Sequence, residues 1–95
     1  LTIDHMLQAR QRIAPYVHNT PILTSTYLDE LIGAELFFKC ENFQKAGAFK
    51  VRGACNAVFG LTDDDAALGV ATHSSGNHAL SLSYAAGRRG DSPVP

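Results

Sequence analysis

The chain has 95 residues, 45% of them apolar and 18% charged, with eight Lys plus Arg against nine Asp plus Glu. Such a composition describes a globular chain rather than a disordered one, and the formal net charge of −1 supplies no electrostatic footprint for nucleic acid or an anionic membrane. With no apolar run long enough to span a bilayer and no signal-peptide pattern at the start, the sequence predicts a cytoplasmic protein with a small-molecule partner.

Thr2 is placed to cap a first helix from Ile3 to Ala14, in which Ile3, Met6, Leu7, Arg10 and Ile13 recur at helical spacing and Pro15 stops the run. In "YVHNTPILTS", Pro21 pushes Thr20 to extended geometry. Ser25 or Thr26 then caps a brief helix through Ile32, with Gly33 suited to its stop. The aromatic-rich run "ELFFKCE", residues 35–41, predicts a mostly buried strand.

The loop "NFQKAGA" leads to a helix from Phe49 to Gly60, whose core face is Val51, Ala54, Cys55, Val58 and Phe59, while Lys50, Arg52 and Asn56 point elsewhere. "LTDDDAALG" suits a helical turn, its acidic residues favouring a helix start. A second strand, "GVATH" at 69–73, runs through "SSGN" into a third long helix from Asn77 to Arg88, carrying Ala79, Leu82, Tyr84, Ala85 and Ala86. The tail "RRGDSPVP" reads as turn, with no further strand. This alternation predicts an α/β protein with parallel strands, both in one sheet, whose ligands bind beyond the strands' carboxyl ends.

Cys40 and Cys55 fall in apolar patterns without metal or redox spacing and are expected to be reduced and buried. His5 and His18 are isolated, and His73 and His78 straddle a Gly-Asn turn rather than sharing a helix face, so no metal is assigned.

Two stretches carry chemistry. In "THSSGNHA", hydroxyls, a flexible glycine and the N–H groups of a helix start make an anion site for phosphate or carboxylate. The same Ser and Asn residues serve as ordinary helix caps, and both readings stand at this point. A phosphate loop and a hydrolase elbow both fail on spacing. In "QKAGAFKVRGA", Lys50 sits at a helix start, where the helix dipole disfavours a cation. Desolvation and nearby positive charge favour a neutral, nucleophilic amine able to form a Schiff base; a solvated surface lysine is the plain alternative.

Taken together, "KCENFQKAGAFKVRGA" followed by "THSSGNHA", with "NTPILTS" upstream, closely resembles the serine/threonine dehydratase and serine racemase family, which depends on pyridoxal 5′-phosphate (PLP). The resemblance extends from about His18 to Gly90. It implies an α/β, parallel-sheet PLP-dependent fold of type II, the first predicted strand lying in a large domain and the second in a small one. Residues 1–66 would be the start of the large domain and 67–95 the start of the small domain, the remainder of both lying outside the chain. A chain this short has little room for a deep cleft and its walls.

The resemblance also implies roles. Lys50 would hold PLP as a Schiff base and then act as base or acid at the substrate Cα. Phe49 would pack against the cofactor ring and Asn77 would hydrogen-bond its 3-hydroxyl. Ser74, Ser75 and the backbone of Gly76, Asn77 and His78 would hold the substrate carboxylate. Ser75 would serve racemase-like members as the second base, and "SSGNH" leans toward that branch. The implied reactions are dehydration of serine or threonine to a 2-oxo acid and ammonia, racemisation of serine, or both.

A β-replacing PLP synthase and a non-catalytic anion-binding or regulatory module are the alternatives. Small amino-acid substrates and a homo-oligomer, dimer or tetramer, would be the partners, with a divalent cation held by ligands outside this chain. Two features depart from the family pattern: Ala48 stands where serine is usual, and "DSPVP" fits poorly after Gly90, where a hydrophobic strand is expected. The glycine-rich phosphate cradle and the residue at the pyridine nitrogen would fall beyond residue 95, so that the chain alone would be inactive.

Overall fold

A computed structural model describes residues 1–74, 76–90 and the backbone of 93–94. Helix α1 (Ile3–Ile13) opens with reciprocal bonds: the His5 N–H donates to Thr2 Oγ at 3.3 Å, and the Thr2 N–H donates to His5 Nδ1 at 3.2 Å. Two donors without helical partners are thereby satisfied. Of the apolar stripe on α1 only Ile13 is buried, while Ile3, Met6 and Leu7 remain about half exposed or more.

After a 3-10 turn at Ala14–Tyr16, strand β1 (Ile22–Leu23) pairs antiparallel with β2 (Phe38–Lys39), Ile22 opposite Lys39 and Leu23 opposite Phe38. Between them α2 (Thr26–Ile32) starts on Ser25, whose hydroxyl accepts from the Leu28 N–H. It ends at Gly33, at φ 77° in the left-handed region that glycine tolerates.

The expected buried strand over 35–41 is therefore corrected. Only Phe38 and Lys39 pair, and Phe37 and Phe38 stay 67% and 43% exposed. An apolar run states that its surface prefers cover but not what covers it, and in this chain the two-stranded ribbon leaves Ile22, Leu23 and Phe38 exposed.

Those helices form the core. α3 (Lys50–Phe59) packs along α5 (Asn77–Arg89), with Val51, Cys55, Val58, Ala85 and Ala86 all but inaccessible to solvent. Alanine, serine and cysteine at the contact let the two backbones approach closely, and the larger valines fill the remaining space. Tyr16 stacks on Phe59, ring centroids 3.9 Å apart, and the Tyr84 hydroxyl donates to the Tyr16 carbonyl, tying the end of α1 to both helices. Arg89, on the last turn of α5, donates to the Val58 and Leu61 carbonyls and reaches Asp63 at 3.2 Å, satisfying acceptors at the α3 C-terminus. Cys40 and Cys55 are unpaired and buried, and burial pushes the Cys55 thiol upward.

The acidic stretch forms α4 (Asp63–Ala67), capped by Thr62. Strand β3 (Val70–Ala71) then pairs parallel with β4 (Pro93–Val94). Two expectations change here. A strand does follow Gly90, since an edge position accommodates the N–H that Pro93 lacks. The two expected strands do not share a sheet, because β2 pairs with β1 and β3 with β4. Alternation fixes the order of elements but leaves ladder partners open.

Candidate active site

The segment that enters α3 is held at several points. Gln44, 4% exposed, accepts the His18 N–H at 2.7 Å on Oε1 and donates from Nε2 to the His18 carbonyl at 2.9 Å. Its amide thus pairs with a backbone unit as a neighbouring strand would. A 3-10 turn, Lys45–Gly47, follows with Ala46 at φ 60° and Gly47 at φ 69°. For alanine that conformation costs about 1 kcal/mol or more, and it persists where surrounding bonds over-determine the chain.

Three residues into α3, Arg52 forks onto Glu41: its Nε donates to Oε1 and its Nη2 to Oε2 at 3.0 Å. The buried Thr20 hydroxyl donates to the same carboxylate, and Lys39 Nζ donates to the Thr20 carbonyl at 2.6 Å. The Arg52 hydrogen bond chiefly, and the Thr20 bond after it, hold the Glu41 carboxyl down at about 2, against the cost of burial.

Lys50 is the first residue of α3 and its side chain is exposed. The ammonium lies 5.4 Å from the centroid of the Phe49 ring, and among the described residues no carboxylate pairs with it. An open cleft of about 340 Å³ is lined by Phe49, Lys50, Arg52, Gly53, Ala54 and His78. It therefore brings the start of α3 and the start of α5 to one place, and α5 also packs on the Lys45–Gly47 turn.

At the second wall, the Gly76 N–H donates to Ser74 Oγ at 3.2 Å, closing a short turn before the helix. The cap position of α5 is Gly76, which has no side chain to offer, and Asn77 and His78 are exposed in the first turn. Ser74 and Asn77 thus do not occupy the cap position proper, and the α5 end keeps N–H groups and dipole facing outward. Ser75, to which carboxylate binding and a second-base role are attached, lies outside the described residues.

A larger cleft of about 420 Å³ runs between α1 and residues 17–19, but its walls carry no lysine amine or hydroxyl, and the Arg52 that borders it is committed to Glu41. The residues that sequence reasoning missed are Thr20, Glu41 and Gln44. Their signal was the set of polar side chains within "NTP" and "ENFQ", segments read for backbone shape and for the family resemblance but not for these contacts.

Residues 13–94 match the family described as pyridoxal-phosphate dependent enzyme. The chain belongs to that family. It is 70% identical over 89 residues to a beta-hydroxyaspartate dehydratase of Paracoccus denitrificans (strain Pd 1222), covering 94% of this chain and 28% of the relative. It is 60% identical over 88 residues to a serine racemase of Oryza sativa subsp. indica, covering 93% of this chain and 26% of that one.

The structure of maize serine racemase superposes with a TM-score of 0.92 at 56% identity, over 96% of this chain and 29% of that one. The fold is that of PLP-dependent enzymes of type II, and the chain spans somewhat over a quarter of the length of these relatives. The residues present suit the family's cofactor. An amine without a carboxylate partner faces a cleft, an aromatic ring lies beside it, and a helix N-terminus stands across from it. Among the described residues no helix is long and apolar enough to cross a membrane.

Proposed function

We propose that the protein is a PLP-dependent enzyme acting on β-hydroxy-α-amino acids, with serine, threonine and 3-hydroxyaspartate as the substrate class. It eliminates the hydroxyl to give a 2-oxo acid and ammonia, racemises serine, or does both. The observation that carries this reading is the unpaired amine of Lys50 in a cleft shared by the starts of α3 and α5. High identity to a beta-hydroxyaspartate dehydratase and to a serine racemase supports the substrate class.

When bound, PLP supplies the electron sink that makes the substrate Cα proton removable. Lys50 would hold the cofactor and move the proton at Cα, with Phe49 against the ring and Asn77 at the 3-hydroxyl. Ser74, Ser75 and the N–H groups of Gly76, Asn77 and His78 would orient the substrate carboxylate at the positive end of α5. The Ser75 hydroxyl would hold or deliver a proton on the opposite face of Cα. Elimination then needs the β-hydroxyl to take a proton and leave as water, after which the released enamine takes up water to give the 2-oxo acid and ammonia, whereas racemisation needs a proton returned from the second face, so one constellation serves both.

The two domains would divide at residues 66 and 67, a reading that the separate pairings of β2 and β3 support and that the α3–α5 core, which crosses this boundary, opposes. The protein in its natural length would be a cytoplasmic homo-oligomer. The test is to follow ammonia, 2-oxo acid and D-serine from each candidate substrate. Lys50→Ala should lower turnover by about 10³-fold or more, and Ser75→Ala should impair racemisation more than elimination. Incorporation of sulfide in place of ammonia release would move the enzyme to the β-replacing class, and undiminished turnover by Lys50→Ala would end the proposal.

A further inference from the structure

Lys50 lies between two anchored points. Upstream, the Gln44 amide makes a two-bond pairing with the backbone of His18. Downstream, Arg52 forks onto Glu41, whose second oxygen also receives the Thr20 hydroxyl. Both anchors end on the same short segment, residues 18–20, which lies far from Lys50 in sequence.

Residues i and i+2 of a helix point about 200° apart around its axis. Fixing Arg52 on one side therefore sets the rotational phase of the first turn of α3 and presents Lys50 on another side, where its ammonium meets only the Phe49 ring among the described contacts. The left-handed Ala46 between the anchors fits a segment whose path is imposed by its two ends.

We propose that Thr20, Glu41, Gln44 and Arg52 are positioning residues that set the direction of the Lys50 amine. Although Arg52 borders the cleft, its guanidinium is bound to Glu41, and none of the four needs to touch cofactor or substrate. The inference rests on the reading of Lys50 as the cofactor lysine, and its test separates the two.

The variants are Thr20→Val, which keeps the shape and loses the hydroxyl, Thr20→Ser as the conservative rescue, Glu41→Gln, and Arg52→Lys, which keeps the charge and loses the fork. Each is made in the protein at its natural length. Hydrogen–deuterium exchange over residues 45–50 is read without cofactor, and PLP affinity is read by absorbance titration. Thr20→Val, Glu41→Gln and Arg52→Lys should each raise exchange over 45–50 several-fold more than exchange in α5, and should weaken PLP binding about 10-fold, with Thr20→Ser close to wild type. If Glu41→Gln fails to fold, Arg52→Lys and Thr20→Val carry the same comparison.

Exchange and PLP affinity within twofold of wild type in these variants would overturn the proposal. So would losses spread evenly over the chain, which would mark the network as general scaffolding. Localised loosening together with wild-type protein that takes no PLP on Lys50 would support the positioning role while removing the functional reading beneath it.

Discussion

Glu41 shows most directly how single groups set up the site. Its carboxyl is depressed from 4.5 to about 2 by the Arg52 hydrogen bond first and the Thr20 hydroxyl after it. Because the folded carboxylate binds its proton less tightly than the unfolded one, the interaction contributes fully above about pH 4.5 and is lost as the pH falls toward about 2. Its contribution is on the order of 2 kcal/mol, after allowing for the part of the pair that water reaches. Thermal unfolding measured against pH should therefore show Glu41→Gln less stable than wild type near neutrality, with the gap closing through that window. A constant gap down to about pH 2 would show that the charge is not what matters. This network was invisible in the sequence for a physical reason: Thr20, Glu41 and Arg52 are separated by up to 32 residues, and nothing local to any of them requires the others. Lys50 stood out as a cation at a helix start beside a turn of small residues, and its assignment as the cofactor lysine rests on the resemblance carried by the paired motifs.

At the scale of elements, the contact between α3 and α5 decides whether the two loops face one cleft. Ala85 is inaccessible at that contact, next to Val51, Ala54, Cys55 and Val58 in the same cluster. Ala85→Leu adds three heavy atoms where there is no room, and it should destabilise by about 1–3 kcal/mol or more. It should also separate the helix starts, so that cofactor affinity falls along with the thermal midpoint. Unchanged affinity alongside a lowered midpoint would mean that the cleft does not depend on this packing. These helices were readable to within a residue or two because their apolar periodicity and caps are written locally: Thr2 and Ser25 cap where expected, and the acidic stretch forms the expected helical turn. The strands were not. Each described strand is a two-residue piece whose partner is chosen by tertiary structure, and the run at 35–41 has no periodicity to reveal which of its residues pair.

For the whole molecule, a radius of gyration of 16.1 Å exceeds the value of about 12 Å expected for a compact domain of this length, and extents of 53 × 32 × 21 Å describe an elongated body. On the β1–β2 ribbon, α2, the segment before β2 and the outer stripe of α1, the apolar residues Leu23, Tyr27, Leu31, Phe37 and Met6 are exposed. That surface accounts for the failure of the buried-strand expectation, since burial is a property of the assembled whole and not of a run of letters. The site behaves differently. The starts of α3 and α5, distant in sequence, border one cleft because the two helices pack on each other. The central claim is that Lys50 is the residue that carries the cofactor, and it has a direct test. The protein in its natural length is loaded with PLP, reduced with borohydride, digested and read by mass spectrometry. The account predicts a phosphopyridoxyl adduct on Lys50; an adduct on Lys39 or Lys45 instead, or none on the chain, would contradict it.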